Sequence, residues 1–97
     1  LQEVARRIAE AFRPEKVILF GSGSPTPDSD VDLLVIMDSD ERPATRSRRV
    51  ADACHPGTIA MDILVRTPAE LAQRLSINDS FFKEIVQKGR VLYERGV

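Results

Sequence analysis

Leu33-Leu34-Val35-Ile36-Met37 is an unbroken apolar run with no position left to face water. A strand of that composition has to be central in its sheet and covered on both faces. The rest of the chain must therefore supply helices for two sides of a sheet. With 97 residues it is long enough for one core and too short for two, so residues 1–97 are expected to form one domain.

The patterning around that run supplies the helices. Leu1, Val4, Ile8, Ala11 and Phe12 recur at helical spacing, with Arg6, Arg7 and Glu10 on the other side, and Pro14 stops the pattern. Val17 to Phe20 reads as a buried strand running into Gly21, and Asp30 to Met37 as the next strand. Pro43 opens a weakly amphipathic helix to about Ala53, and Ile59 to Val65 forms a third strand around Asp62. Thr67-Pro68-Ala69-Glu70 has the form of a capping box with proline at the first helical position. Asn78 or Asp79 caps a further helix with a stripe of Phe81, Phe82, Ile85 and Val86 that ends at Gly89, before a last strand over Arg90 to Tyr93. The order α-β-β-α-β-α-α-β lacks the alternation of a doubly wound fold. It implies an α+β fold, a small mixed β-sheet with helices packed on it. The chain opens at Leu1 already inside a helical pattern, as a piece of a longer protein would.

Charge narrows the function classes. The formal net charge is −1, from 14 basic and 15 acidic side chains, so no overall field draws the protein to nucleic acid or to an anionic membrane. No apolar stretch approaches the roughly 20 residues that span a bilayer, and no leader pattern opens the chain. Cys54 is the single cysteine, which rules out an internal disulfide and fits a reducing, cytoplasmic setting.

Three short strings carry chemistry: Gly21-Ser22 at the end of a strand, Asp30-Val31-Asp32 opening the next, and Asp62 inside the third. Asp30 and Asp32 are two apart on a strand, so their side chains leave one face about 7 Å apart at the backbone. Asp62 interrupts an apolar strand, where an unpaired buried carboxylate would be costly. If the third strand lies beside the second, all three carboxylates meet, and a divalent cation is the partner that relieves them. Oxygen-only ligands suit Mg²⁺, which fills its shell with water and substrate phosphate. Gly21 lets the backbone approach an anion, and the Ser22 hydroxyl with neighbouring N–H groups can bind nucleotide phosphates. Metal beside a phosphate cradle points to phosphoryl-type transfer by two cations roughly 4 Å apart. Asp30 and Asp32 would bridge both ions, and Asp62 would bind the catalytic one and accept the proton of the attacking hydroxyl.

Val17-Ile18-Leu19-Phe20-Gly21-Ser22, then Asp28-Ser29-Asp30-Val31-Asp32-Leu33-Leu34-Val35, then Met61-Asp62-Ile63-Leu64-Val65-Arg66-Thr67-Pro68 resembles the minimal nucleotidyltransferases of the DNA polymerase β superfamily. The resemblance covers nearly the whole chain. It implies a polymerase β-like fold and transfer of AMP from ATP with Mg²⁺. It also implies a partner, a HEPN-type toxin that the transferase neutralises, in some pairs by placing AMP on a toxin tyrosine. In one respect the chain departs from the family. Seven residues separate Ser22 from Asp30, about three fewer than is usual. That short loop favours a second reading, an antitoxin that masks the toxin by contact with little or no catalysis. Transfer to a small molecule is more distant, since the chain has no second domain for such an acceptor. A second subunit could provide the acceptor site instead.

The remaining polar residues have plainer readings. Arg46, Arg48 and Arg49 are expected on a solvated helix face or against an acidic partner, with no aromatic platform nearby for nucleic acid. His55 has no second histidine with which to build a zinc site. Cys54 is expected to be buried. One of the adjacent Phe81 and Phe82 must point away from the core, where it could serve an interface.

Overall fold

The computed structural model describes residues 2–21, 31–54 and 61–96. Its elements are α1 (Gln2–Phe12), β1 (Lys16–Phe20), β2 (Val31–Ile36), α2 (Pro43–Cys54), β3 (Met61–Arg66), α3 (Pro68–Ser76), α4 (Ser80–Lys88) and β4 (Arg90–Glu94). The expected α+β order is present. The strands form one mixed sheet in the order β3-β2-β1-β4. In it β1 runs antiparallel to β2 and β4, and β2 runs parallel to β3.

Side chains alternate between faces along a strand, and each sheet face has its own cluster. Val17, Leu33, Val35, Ile63 and Val65 pack with Val4 and Ile8 of α1 and with Val50 and Cys54 of α2. Ile18, Leu34 and Ile36 pack on the other face with Phe82 and Ile85 of α4, and Leu71 and Leu75 of α3 join them. Leu33, Leu34 and Val35 are fully buried, as a strand covered on both sides requires. Burial of such side chains contributes about 1.5–3 kcal/mol each.

Local sequence sets where the helices begin and end. Arg13 adopts a left-handed φ of 49° and Pro14 follows, so α1 closes without a glycine. At α3 the Thr67 hydroxyl accepts from the Glu70 N–H at 3.1 Å, and the Glu70 carboxylate accepts from the Thr67 N–H at 2.8 Å. That reciprocal pair is the expected capping box. Asp79, rather than Asn78, caps α4, accepting from the N–H groups of Phe81 and Phe82, while Asn78 takes a left-handed φ of 59°. Each such cap contributes about 1 kcal/mol. Gly89 ends α4 with an ordinary φ of −68°. Its lack of a side chain matters because a Cβ there would collide with the Ile85 carbonyl and the Ile18 side chain. The glycine thus lets the end of α4 close down on β1.

Two expectations about the helices need correction. Val86 is 44% exposed, so the buried stripe of α4 is only Phe82 and Ile85. Arg46 is not solvated: it is 5% exposed, whereas Arg48 and Arg49 do face water. Arg46, Val50 and Cys54 are four apart and share one helix face, which is the inward one.

Candidate functional site

The site is built at one end of the sheet, where β1 finishes and β2 and β3 begin. Phe20 of β1 pairs with Asp32 of β2, and Asp32 pairs with Asp62 of β3. In-register neighbours project from the same face of a sheet. Asp32 shares its parity with Leu34 and Ile36, and Asp62 shares its parity with Leu64, so both carboxylates emerge on the α3/α4 face. Adjacent strands are about 4.8 Å apart, which is close enough for the two to act on one cation.

Gly21 closes the third side. Its φ is +120°, and a Cβ on it would lie 2.8 Å from Oδ2 of Asp32. A side chain at this position would meet both an unfavourable backbone conformation and the carboxylate itself. Glycine is thus required by the fit of the β1 turn against Asp32, in addition to any approach of a phosphate.

Asp62 departs from expectation in its surroundings. It lies in an otherwise apolar strand, yet its side chain is exposed, because β3 is an edge strand of the sheet. The cost of burying a lone carboxylate therefore does not apply to it. What marks the position is its register beside a second carboxylate, half-buried Asp32. The donor set is oxygen-only and fits a hard divalent cation.

Asp30 and Ser22, the other expected site residues, lie outside the described residues, as does His55. Among the described residues no group of three or more His, Cys, Asp or Glu side chains could hold a metal ion; the described carboxylates here are Asp32 and Asp62.

An aromatic rim borders the site. The Phe81 ring of α4 meets Phe20 edge to face, with centroids 5.7 Å apart and planes at 88°. It meets Phe82 in the same way at 5.2 Å and 83°. Phe82 is buried, and Phe81 is 50% exposed, so Phe81 is the member of the pair that faces outward. Sequence periodicity shows that one of two adjacent residues must do so, but not that its neighbour would be the residue before Gly21.

At the far end of β3, Arg46 serves architecture. Its guanidinium donates to Glu70 at 2.7 Å, to the Glu41 carbonyl at 2.7 Å and to the Val65 carbonyl at 3.5 Å. The Arg46 hydrogen bond holds the Glu70 carboxyl below its ordinary value, and the Thr67 N–H adds to the effect. The clip joins α2, β3 and α3.

Comparison with known proteins gives the family. A Methanocaldococcus jannaschii protein named "putative protein adenylyltransferase" is 33% identical over 86 residues, covering 84% of this chain and 80% of that protein. No solved structure matches the chain significantly. Among the described residues no helix is long and apolar enough to cross a membrane. Residues 2–96 match the family described as polymerase beta, nucleotidyltransferase, and the chain belongs to that family.

Proposed function

We propose that this chain is a minimal nucleotidyltransferase of the antitoxin type, which transfers AMP from ATP to a tyrosine hydroxyl of a HEPN-type toxin. The observation that carries the reading is the register of Asp32 beside Asp62 on one face, with the Asp32 carboxylate against Gly21. The named adenylyltransferase relative supports a protein acceptor. The family supports the nucleotide.

In this reading Asp30, Asp32 and Asp62 hold magnesium, and Gly21 with Ser22 receives the triphosphate. Bound there, magnesium supplies charge neutralisation for the phosphates and for the leaving pyrophosphate. The acceptor hydroxyl oxygen forms a bond to the α-phosphorus, the bond from that phosphorus to the bridging oxygen breaks, and pyrophosphate departs. The hydroxyl proton passes to an oxygen of the Asp62 carboxylate, whose exposure leaves it open to an incoming protein side chain.

The test is incubation with labelled ATP, Mg²⁺ and the protein encoded beside this gene, with Asp30→Ala, Asp32→Ala and Asp62→Ala as controls. Label on a tyrosine of that protein, lost in all three variants, is the expected result. Neutralisation of the toxin that persists unlabelled in the variants would replace transfer by masking through contact.

A further inference from the structure

We infer that Phe81 is the stacking platform for the nucleobase of the bound nucleotide, an inference that rests on the nucleotidyl-transfer reading of the Gly21–Asp32–Asp62 site. Phe81 is a half-exposed phenylalanine on the first turn of α4. Its ring touches that of Phe20, which immediately precedes Gly21 and pairs with Asp32. A nucleotide with its phosphates over the Gly21 turn therefore has an open aromatic surface within reach of its base.

The ring is held in place before any ligand arrives. Phe20 and Phe82 both stand nearly perpendicular to it, and the two edge-to-face contacts restrict its orientation. A fixed ring loses little conformational freedom when a base stacks on it.

The surroundings favour a base over an apolar protein segment. Residues three, four and seven positions beyond Phe81 share its side of the helix. Of these Glu84 and Lys88 are exposed and charged, paired with each other at 3.5 Å, and Ile85 is buried. Val86, the other exposed apolar residue of α4, is five positions on, roughly 140° around the axis at 3.6 residues per turn. The exposed apolar side chains of α4 thus form no stripe for a partner helix. A single ring bordered by charge matches the area of one base, and any base has a π-face to offer.

Isothermal titration of MgATP and of magnesium tripolyphosphate into the wild type, Phe81→Ala and Phe81→Tyr tests this. Tripolyphosphate carries the phosphates without the base. Phe81→Ala should bind MgATP about tenfold more weakly, the scale of one lost stacking contact, while its tripolyphosphate affinity stays at the wild-type value. Phe81→Tyr should bind both as the wild type does. Equal MgATP affinity in Phe81→Ala and wild type overturns the platform and leaves the transfer site standing. Equal loss of both ligands in Phe81→Ala also overturns it, by assigning Phe81 to the fold of the site. Absence of any MgATP binding in the wild type overturns the platform together with the reading on which it rests.

Discussion

At the Val65 end of the β2–β3 ladder a buried guanidinium is closed by a carboxylate and two carbonyls, while at the Asp32 end two carboxylates stand in register on one face. Opposite charges from α2 and α3 are thus joined against one end of the strand pair, and like charges borne by the strands themselves stand side by side at the other. The first arrangement is what stability asks of a buried ion, which is tolerated when its hydrogen bonds are satisfied. The second gathers acceptor oxygens on one face, the donor chemistry that a hard cation takes. The difference separates a structural use of charge from a functional one within about 10 Å of strand, at roughly 3.3 Å per residue.

The sharpest way to break that contrast is Asp62→Asn. If the carboxylate works on substrate and contributes nothing to the fold, transfer of labelled nucleotide falls on the order of 10³-fold. The melting temperature stays the same or rises, because a like-charge neighbour of Asp32 has gone. A fall in melting temperature with transfer unchanged would place both ends of the ladder in the structural class.

Gly21→Ala probes the third side of the site. The added methyl meets Oδ2 of Asp32 at 2.8 Å on a backbone with φ +120°, so either the turn or the carboxylate must move. Stability should fall by about 1–2 kcal/mol, and transfer by roughly 100-fold, as expected for a reacting group displaced by about 1 Å. Denaturant melts and rate measurements on the same preparation separate the two losses. Full activity in this variant would mean that the fit between Gly21 and Asp32 has no part in the chemistry.

The two ends of the ladder differed in how readable they were from sequence. The capping box was legible because Thr67, Pro68 and Glu70 act on neighbours in the chain, and the structure contains both of its bonds. The meeting of Asp32 with Asp62 depended on a strand order that periodicity does not contain, since alternation says which residues share a face but not which strand lies alongside. Asp62 looked buried because its neighbours in sequence are apolar. An edge strand can have apolar text and still expose the end of one face. Arg46 shows the opposite case: residue type suggests solvent, whereas its spacing from Val50 and Cys54 points inward. Phe81 shows the same limit, because pairing with Phe20 is a tertiary fact.

Arg46→Met should do the reverse of Asp62→Asn. Removing the guanidinium strands the Glu41 and Val65 carbonyls and releases Glu70, which is itself 39% exposed and so recovers part of its hydration. A loss of about 2 kcal/mol is expected, with a melting temperature lower by about 10 °C. At a temperature where the variant is folded, kcat/KM should stay within about twofold of wild type, since the clip meets β3 at Val65, three residues from Asp62. A large loss of kcat/KM with little change in stability would show that the clip and the carboxylates are coupled.

The smallest effect is the pH dependence of the clip. Arg46 first, and then the Thr67 N–H, hold the Glu70 carboxyl below its ordinary value of 4.5. A carboxyl that is more acidic in the folded state binds fewer protons there than in the unfolded chain. Its contribution is therefore fully present above about pH 4.5 and is lost as pH falls through the folded value. Glu70→Gln removes the charge at every pH, so its deficit relative to wild type should be constant from pH 7 down to about 5 and should shrink below that. Because Glu70 is more than a third exposed, solvent screening limits the deficit to about 1 kcal/mol or less. Urea melts of the two proteins between pH 3 and 7 measure it. A deficit that persists undiminished at pH 3 would mean that Glu70 acts through its cap geometry alone, and the ionic closure of the Val65 end would then be Arg46 with its carbonyls.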